Sequence, residues 1–275
     1  MKVGVIILNW NGLADTRECL QSLLPAPSWA QVMVVDNGSS DDSVAQLRAE
    51  FGSQITLIET GANLLFAGGN NVGVQAALDS GCDAVLLLNN DTFVEVSTLQ
   101  MLYEAANRHP ESLLCPKILY ASDAKRLWYA GGLWKGGRIA HRGLRELDYG
   151  QYNREEQTAW GTGCALWIPR GAIDQVGMLD DEFKLYYEDV EFCIRCKANG
   201  IETTYVPSSR VWHKVSSSLG GHGTFKKQRR KLNSLGLMLE KIEASPVVIF
   251  GAYLNMLFLD PLRALFAKLF SLISR

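Results

Sequence analysis

Short apolar segments closed by polar turns recur along the first third of this 275-residue chain, and they constrain its fold more than any other feature. The four segments cover residues 3–8, 32–36, 55–59 and 84–88. Continuous apolar runs rich in β-branched residues are typical of strands buried on both faces. Helical spacing over residues 15–24 and 70–80, and a polar cap over residues 37–43, predict helices between these strands. The alternation predicts an α/β fold in which helices cover both faces of a mostly parallel sheet, a three-layer arrangement.

The composition excludes several classes of protein. With 47% hydrophobic and 20% charged residues, the chain has enough apolar material for a core and is neither disordered nor fibrous. The 27 basic and 29 acidic residues give a net charge of −2, which argues against a partner that is nucleic acid. Six scattered cysteines without a recognisable secretory leader predict reduced thiols and a cytoplasmic protein.

The pattern becomes less regular after residue 115, where glycine pairs interrupt a segment rich in tryptophan and tyrosine. We expect irregular strands and loops there, forming the second wall of a cleft. A helix is predicted to begin near Glu188 and to end before Gly200, a residue type suited to helix C-termini. The simplest division is a main domain over residues 1–240, with halves 1–115 and 116–240, followed by C-terminal helices over residues 241–275.

Polar side chains follow three of the predicted strands at the point where each strand ends. Asn9 and Trp10 follow the first strand, and Asp36 closes the second. Asp91 follows the fourth. Ligands of open α/β sheets bind beyond the carboxyl ends of the strands. Each of these residues is also an ordinary turn or cap residue, but three polar strand ends together favour a binding site.

Four motifs in a fixed order give the chain a family resemblance. They read VVDNGS (34–39), NLLFAGGNNVG (63–73), LLNNDT (87–92) and YEDVEFCIR (187–195). Over residues 3–215 the chain resembles the family 2 glycosyltransferases, and within them the bacterial rhamnosyltransferase-like group. The resemblance implies the Rossmann-like GT-A fold, a nucleotide-sugar donor, a divalent cation and inversion at the anomeric carbon.

The resemblance assigns the donor site to the strand ends. Asp36 is expected to accept a hydrogen bond from the ring N–H of uracil or thymine, because a carboxylate only accepts. Trp10 is expected to stack on the base, with a core tryptophan as the alternative. The glycine pair at residues 68–69 is expected to form a turn before a helix, where backbone amides meet sugar or phosphate oxygens. The remaining expected donor contacts are Asn9, Asn63, Gly69, Asn70 and Asn90.

The resemblance also implies Mg²⁺ or Mn²⁺ on the donor diphosphate. Asp91 occupies the last position of the family's Asp-x-Asp element, whose first position is Asn89 here. Such hard ions tolerate a single carboxylate with phosphate oxygens and water, so we expect weak binding that depends on the donor. His213 stands where related enzymes place a histidine near the metal, and a purely structural histidine fits the sequence equally well.

Asp189 is the expected catalytic base, with Glu188 beside it. In the resemblance, this aspartate removes the proton of the acceptor hydroxyl as its oxygen attacks C1 of the donor sugar. Repulsion from Glu188 is expected to raise the proton affinity of Asp189. The alternative is that both acids only decorate a helix N-terminus, where negative charge is favoured.

The acceptor side is expected at Trp160, Gly161, Thr162 and Gly163, although most tryptophans of a chain this size belong to the core. A basic cluster at residues 226–231 would neutralise a diphosphate or an anionic acceptor, or else is a solvated helix face. Residues 228–232 lack the Gln-x-x-Arg-Trp form of processive family members, so we expect transfer of one sugar.

Residues 261–275 place a basic, polar face opposite a face of leucine and phenylalanine. This pattern is typical of a helix at a membrane surface, and the apolar residues 247–259 precede it. Packing on the main domain, or on a second copy in a homodimer, is the alternative. We therefore expect a peripheral protein on the cytoplasmic face of the inner membrane, with a saccharide or polyprenyl-linked saccharide as acceptor.

Together these features predict metal-assisted transfer from a UDP- or dTDP-sugar, with dTDP-L-rhamnose as the first candidate. The rival enzyme, a sugar-1-phosphate nucleotidyltransferase, needs a basic phosphate loop after the first strand, and residues 9–12 contain no Lys or Arg. The third candidate is an inactive nucleotide-sugar-binding or scaffold protein. The single carboxylate at Asp91 favours that candidate, and the Glu188–Asp189 pair opposes it.

Overall fold

The computed structural model describes residues 1–135, 137–215, 225–260 and 262. The first third of the chain forms the predicted alternation of strands and helices. Its elements are β1 (Val3–Asn9), α1 (Leu13–Leu23), β2 (Ala30–Asp36), α2 (Ser43–Phe51), β3 (Thr56–Glu59), α3 (Leu65–Asp79) and β4 (Ala84–Asn89). The apolar centres of β1, β2 and β4 are buried, as their continuous hydrophobic pattern predicts.

The rest of the chain contains short strands, two long ones and further helices. The strands are β5 (Thr92–Val94), β6 (Leu113–Tyr120), β7 (Asp123–Tyr129), β8 (Gly132–Lys135), β9 (Arg138–His141), β10 (Glu156–Thr158), β11 (Ala165–Pro169) and β12 (Thr203–His213). The helices are α4 (Val96–Arg108), α5 (Arg170–Val176), α6 (Glu188–Ala198), α7 (Phe225–Lys241) and α8 (Pro246–Leu254), and a π-helical turn (Asn255–Leu259) follows α8. The predicted helix at Glu188 is confirmed, and Gly200 follows it with a φ of +83°.

β6 is more regular than the sequence suggests. It is buried along almost its whole length, although Lys117 interrupts its apolar pattern. The Lys117 side chain is fully buried, and its Nζ donates to a carboxylate oxygen of Asp148 at 2.8 Å. A charge that is paired in three dimensions can occupy a buried strand, and no one-dimensional pattern reveals that pairing.

One sheet runs through the molecule in the order β10-β12-β6-β11-β4-β1-β2-β3. The pairs among β3, β2, β1 and β4 are parallel, as predicted. β11 enters between β4 and β6 and is antiparallel to both, so the complete sheet is mixed. Because Ala165 at the start of β11 pairs with Leu88 near the end of β4, the segment that precedes β11 lies at the carboxyl edge of the parallel strands.

The C-terminal helices pack on the second half of the chain and leave apolar side chains in solvent. Arg138 of β9 forms an ion pair of 3.3 Å with Asp260, beyond the π-helical turn. Val247 and Phe250 of α8 are 80% and 69% exposed. In the described part of the chain, no helix is both long and apolar enough to cross a membrane. Apart from Leu262, the predicted tail helix of residues 261–275 lies outside the described residues.

Candidate active site

The ends of β1 and β2 are joined by a buried network centred on Asp36. One carboxylate oxygen of Asp36 accepts the Asn9 side-chain amide at 2.8 Å, and the other accepts the backbone N–H of Ser39 at 2.9 Å. The Asn9 side-chain oxygen accepts the Thr16 hydroxyl at 2.7 Å. Asn9 is therefore fully buried and satisfied inside the protein. Its predicted donor contact is corrected to a supporting role, since it orients Asp36.

Thr16 extends the same network to the end of β4, and sequence reasoning missed it. Its hydroxyl accepts the side-chain amide of Asn90 at 2.9 Å, so Asn90 also points into the protein. Thr16 lies on the buried face of α1 together with Cys19 and Leu20. A polar residue on an otherwise apolar helix face is the signal that would have identified it. The network therefore fixes the ends of β1, β2 and β4 relative to one another.

Trp10 stands at the mouth of this region rather than in the core. It is 46% exposed, whereas Asp36 is 2% exposed. An exposed indole offers a flat apolar face on which a base can stack. The alternative of a core tryptophan is therefore wrong.

The predicted glycine turn is wrong, because α3 begins at Leu65 and not near Asn70. Only the first four backbone N–H groups of a helix lack an intrahelical partner, and Gly69 and Asn70 lie beyond them. Gly69 instead allows close packing, since a Cβ there would come within 2.5 Å of the Leu8 side chain. The Asn70 side chain is buried and donates to the Phe66 carbonyl at 2.9 Å.

Asn63 shapes the entry into α3. Its side-chain oxygen accepts the backbone N–H of Leu65, two residues further on, at 2.8 Å, which is the hydrogen bond of an Asx turn. Leu65 has a left-handed φ of +63°, and the Asn37 side chain holds the segment by donating to the Leu65 carbonyl at 3.0 Å. The residue itself is exposed, so its predicted contact with the donor stays a prediction.

Asp91 and His213 come together although they are far apart in the chain. The Nε2 atom of His213 lies 3.0 Å from Oδ1 of Asp91. Antiparallel pairing of β12 with β5 brings them together, because His213 pairs with Thr92 and the Lys214 backbone N–H bonds the Asp91 carbonyl at 2.9 Å. The metal pair that the resemblance implied is thus assembled by the sheet.

The geometry of this pair fits a divalent cation. Two ligands at right angles on an octahedral ion with bonds of about 2.1 Å lie about 3 Å apart. An imidazole nitrogen and a carboxylate oxygen suit Mn²⁺, and diphosphate oxygens and water would fill the other positions. Among the residues that the structure describes, no third His, Cys, Asp or Glu joins the pair. A set of only two protein ligands is compatible with the sequence-based expectation that the cation binds weakly and depends on the donor diphosphate.

Asp189 is held at the N-terminus of α6 by backbone donors. Its Oδ2 accepts the N–H of Gly163 at 2.9 Å, and its Oδ1 accepts the N–H of Val190 at 2.9 Å. The hydroxyl of Thr162 also hydrogen-bonds the carboxylate. Thr162 and Gly163, which the sequence assigns to the acceptor side, therefore hold the carboxylate of Asp189 in place.

The two neighbouring acids differ in their surroundings. Burial raises the pKa of Asp189, and the backbone donors oppose that rise because they stabilise the carboxylate. Burial also raises the pKa of Glu188, and the negative charge of Asp189 raises it further. One oxygen of the Glu188 side chain is buried without a hydrogen-bond partner. The repulsion that the sequence predicts for Asp189 thus acts on Glu188, whose pKa is raised both by burial and by the charge of Asp189.

Trp160 and Gly161 belong to the core, which corrects their predicted acceptor role. Trp160 is 3% exposed, and its indole N–H donates to the Leu133 carbonyl at 3.3 Å. A Cβ at Gly161 would come within 2.6 Å of the Leu166 side chain. Their burial follows from tertiary packing of β8 and β11, which the sequence pattern does not display.

Asp189 and the Asp91–His213 pair lie at the same edge of the sheet. The backbone N–H of Asn89 bonds the carbonyl of Cys164 at 2.9 Å. Gly163, the preceding residue, donates to Asp189. Two hydrogen bonds and a short stretch of backbone therefore connect the base with the turn that carries Asp91.

The loop before the base is strained, and α7 holds it. Tyr186 and Tyr187 have left-handed φ values of +73° and +70°, which cost of order 1 kcal/mol each for residues other than glycine. The hydroxyl of Ser234 on α7 donates to the Leu185 carbonyl at 2.7 Å, and Lys231 Nζ lies 5.0 Å from the centre of the Tyr186 ring. The C-terminal end of the predicted basic cluster therefore adjoins the catalytic loop.

Comparison with known proteins identifies relatives of the chain. The sequence signature of the family described as glycosyl transferase family 2 matches residues 4–177. The low-salt glycan biosynthesis hexosyltransferase Agl10 of Haloferax volcanii is 26% identical over 200 residues, which cover 72% of this chain and 62% of that relative. The N-acetylglucosaminyl-diphospho-decaprenol L-rhamnosyltransferase of Mycobacterium tuberculosis is 28% identical over 209 residues, covering 69% of this chain and 68% of the relative. The match thus spans less than two thirds of the Haloferax protein.

Among solved structures, GalNAc-T7 with UDP, GalNAc and Mn²⁺ is similar at a TM-score of 0.69 and 14% identity. The likeness covers 87% of this chain and 48% of GalNAc-T7. At this identity it shows the fold, and it confirms the GT-A fold that the sequence motifs implied.

Proposed function

Because the chain belongs to glycosyl transferase family 2, we propose that it moves one sugar from a UDP- or dTDP-sugar to a saccharide acceptor with inversion. The proposal is carried by one observation: two polar groups lie at the same edge of the sheet. One is the Asp189 carboxylate, which backbone donors hold, and the other is the contact between Asp91 and His213. Their place at one edge of the sheet supports a site in which a base and a diphosphate-binding group act on the same donor sugar.

Asp189 carries the proton transfer in this proposal. Its carboxylate takes the proton of the acceptor hydroxyl while the hydroxyl oxygen forms a bond to C1 of the donor sugar. The bond from C1 to the diphosphate oxygen breaks on the opposite face, so the configuration inverts. Asp91 and His213 would hold a divalent cation, which supplies positive charge to the leaving diphosphate when bound.

The donor is proposed to carry uracil or thymine. The Asp36 carboxylate only accepts hydrogen bonds, so it suits the N–H of these rings and disfavours the unprotonated ring nitrogen of cytosine. Trp10 would cover the base with its exposed face. The Mycobacterium relative is named as a rhamnosyltransferase, which supports dTDP-L-rhamnose as the first donor to test.

The acceptor is proposed to be a polyprenyl-diphosphate-linked saccharide in the synthesis of a cell-surface polysaccharide. The name of the Mycobacterium relative specifies an acceptor of that chemistry. Lys231 beside the catalytic loop supports an anionic acceptor, since an ammonium group there would lie near its diphosphate. Neither rival function gains support, because residues 9–12 contain no Lys or Arg and the Asp189 carboxylate is held by the backbone N–H of Gly163.

Isothermal titration calorimetry with UDP, dTDP and CDP, each with and without Mn²⁺, tests the donor assignment. We expect Mn²⁺-dependent binding of UDP or dTDP, with CDP weaker by about 10- to 100-fold because the unprotonated ring nitrogen of cytosine offers no N–H to the Asp36 carboxylate and would face it lone pair to lone pair. Equal binding of CDP would show that Asp36 does not read the base. Binding of none of the three nucleotides would favour the scaffold candidate.

The C-terminal helices are proposed to place the enzyme on the cytoplasmic face of the inner membrane. Val247, Phe250, Phe258 and Leu262 are exposed apolar residues, and the basic amphipathic segment of the sequence covers residues 261–275. A helix with a basic face and an apolar face binds anionic lipid surfaces through both. A membrane location would bring the enzyme to a lipid-linked acceptor.

Sedimentation with vesicles of phosphatidylglycerol and phosphatidylcholine tests this placement. Removal of residues 263–275, combined with Phe250→Ser and Phe258→Ser, is expected to release the protein from the vesicles and to leave nucleotide binding unchanged. Tyr149→Ser is the matched control, because Tyr149 is 83% exposed on a different part of the surface. Undiminished sedimentation of the truncated variant would contradict the membrane proposal and leave self-association as the role of the tail.

A further inference from the structure

The His213 ring lacks the support that a metal-binding histidine normally has. Such histidines donate their second ring N–H to a carboxylate, a carbonyl or water, which fixes the tautomer and the ring orientation. In His213, Nε2 faces Asp91, and Nδ1 is buried without a hydrogen-bond partner in the described part of the chain. On the Nδ1 side, packing contacts and not a hydrogen bond must therefore hold the ring.

Trp128 of β7 is in position to do so. Its indole meets the His213 ring at a centroid distance of 4.5 Å and an interplanar angle of 85°. It also meets the His141 ring at 4.4 Å and 79°. Two imidazoles thus stand almost perpendicular to one indole, and close packing at these distances restricts the rotation of the His213 ring.

Trp128 is itself anchored from the β9 side. The Nδ1 atom of His141 hydrogen-bonds the Trp128 carbonyl at 3.0 Å. Burial lowers the pKa of His141 to about 4, so the ring is neutral near pH 7 and its Nδ1–H donates to that carbonyl. Tyr129 and Trp160 pack against the other side of His141, at centroid distances of 5.3 and 5.2 Å. The stack is continuous from the core to His213.

We propose that Trp128 is a positioning residue for the metal site: it holds the His213 ring by packing, with Nε2 directed toward Asp91 and the cation. The inference rests on the proposed function, since it concerns the cation that accompanies the donor diphosphate. Trp128 touches neither the cation nor the transferred sugar in this assignment. Loss of the indole would let the ring turn about its broad terminal torsion, and only a fraction of the orientations would bind metal.

Titration of Mn²⁺, followed by the electron paramagnetic resonance signal of the free ion, tests the proposal in the presence of saturating UDP. The test variants are Trp128→Leu and Trp128→Phe. Outer-shell supports of metal ligands contribute about 10- to 100-fold to metal affinity, so we expect a loss of that size in Trp128→Leu. Trp128→Phe keeps an aromatic ring in the gap and is expected to recover most of the affinity. Binding of UDP without metal should be unchanged in both variants.

Trp29→Leu is the matched control. Trp29 is a partly buried tryptophan that stacks on Tyr103 at 4.4 Å, outside the site. Mn²⁺ affinity equal to that of the wild type in Trp128→Leu would overturn the inference. A parallel loss of metal-free UDP binding, or a failure of Trp128→Phe to recover, would also overturn it, because either result indicates general damage. If the wild-type protein binds no Mn²⁺ with UDP or dTDP, the proposed metal site fails first and this inference falls with it.

Discussion

Asp189→Asn is expected to reduce sugar transfer by about 100- to 10,000-fold, the usual contribution of a positioned general base. The amide keeps the size of the side chain and can still accept the N–H of Gly163, but it cannot take a proton from the acceptor. Release of dTDP from dTDP-L-rhamnose, with a synthetic N-acetylglucosaminyl-diphosphate lipid as acceptor, measures the effect. Calorimetric binding of dTDP should remain at the wild-type level, which separates lost chemistry from lost structure.

The pH dependence of the same reaction follows from the environment of the base. Burial raises the pKa of Asp189, so the carboxylate forms at a higher pH than in a free aspartate. The wild-type rate should therefore rise with pH through this raised pKa. The residual rate of Asp189→Asn should lack that rise. An unchanged acid limb in the variant would mean that another group is the base.

Glu188→Gln and Asp181→Asn are the controls. Asp181→Asn removes an exposed acid from the preceding loop and should leave transfer unchanged.

Glu188→Gln keeps the base and should increase stability above pH 7. An acid whose pKa is raised by folding loses stabilising free energy as the pH rises past its ordinary value of 4.5, whereas an amide does not. The gain in melting temperature should disappear near pH 4, where Glu188 is protonated in both the folded and unfolded states.

Asp91→Asn and His213→Ala are expected to remove the Mn²⁺-dependent part of nucleotide binding, with a loss of at least about 100-fold in Mn²⁺ affinity. The expectation follows from the small ligand set: removing one of two protein ligands costs more than the 10- to 100-fold typical of an outer-shell partner. Calorimetry of UDP with Mn²⁺ measures the loss. Without Mn²⁺, both variants should bind UDP as the wild type does.

Asp15→Asn is the matched control for this pair. Asp15 is a carboxylate near the same edge of the sheet, and it accepts the Lys214 ammonium at 2.8 Å. Its substitution changes the local charge by the same amount without touching the proposed ligands. If Asp15→Asn lowers Mn²⁺ affinity as much as Asp91→Asn does, the effect is general electrostatics and the ligand assignment is wrong.

Local sequence patterns predicted the strands that carry the site, and the predictions that failed did so for a common reason. The ends of β1, β2 and β4 were predicted correctly because continuous apolar runs and polar turns are properties of adjacent residues. The start of α3 was wrong, since glycines at positions 68 and 69 read as a turn. Both lie inside α3, and Gly69 serves the close packing of this helix on β1, since a Cβ there would come within 2.5 Å of the Leu8 side chain. Close packing between two elements leaves no signal in one of them alone.

Roles assigned through the family resemblance needed correction where the structure buries the residue and leaves it no access to a ligand. Trp160 has the chemistry of a sugar platform, but it is 3% exposed and its indole N–H donates to a carbonyl of β8. Asn9 has the chemistry of a donor contact, but Asp36 and Thr16 use its amide completely. A motif specifies residue types, whereas exposure depends on which distant segments cover them.

By itself, the sequence determined the alternating elements, the polar strand ends and the acidic pair that begins α6, because these depend on residues close together in the chain. Only the tertiary structure decided which of them meet. The insertion of antiparallel β11 carries Gly163 to Asp189, and the pairing of β12 with β5 brings His213 to within 3.0 Å of Asp91. These contacts join residues more than twenty positions apart through the register of the sheet. Register is set by the packing of the whole core, so no local pattern encodes it.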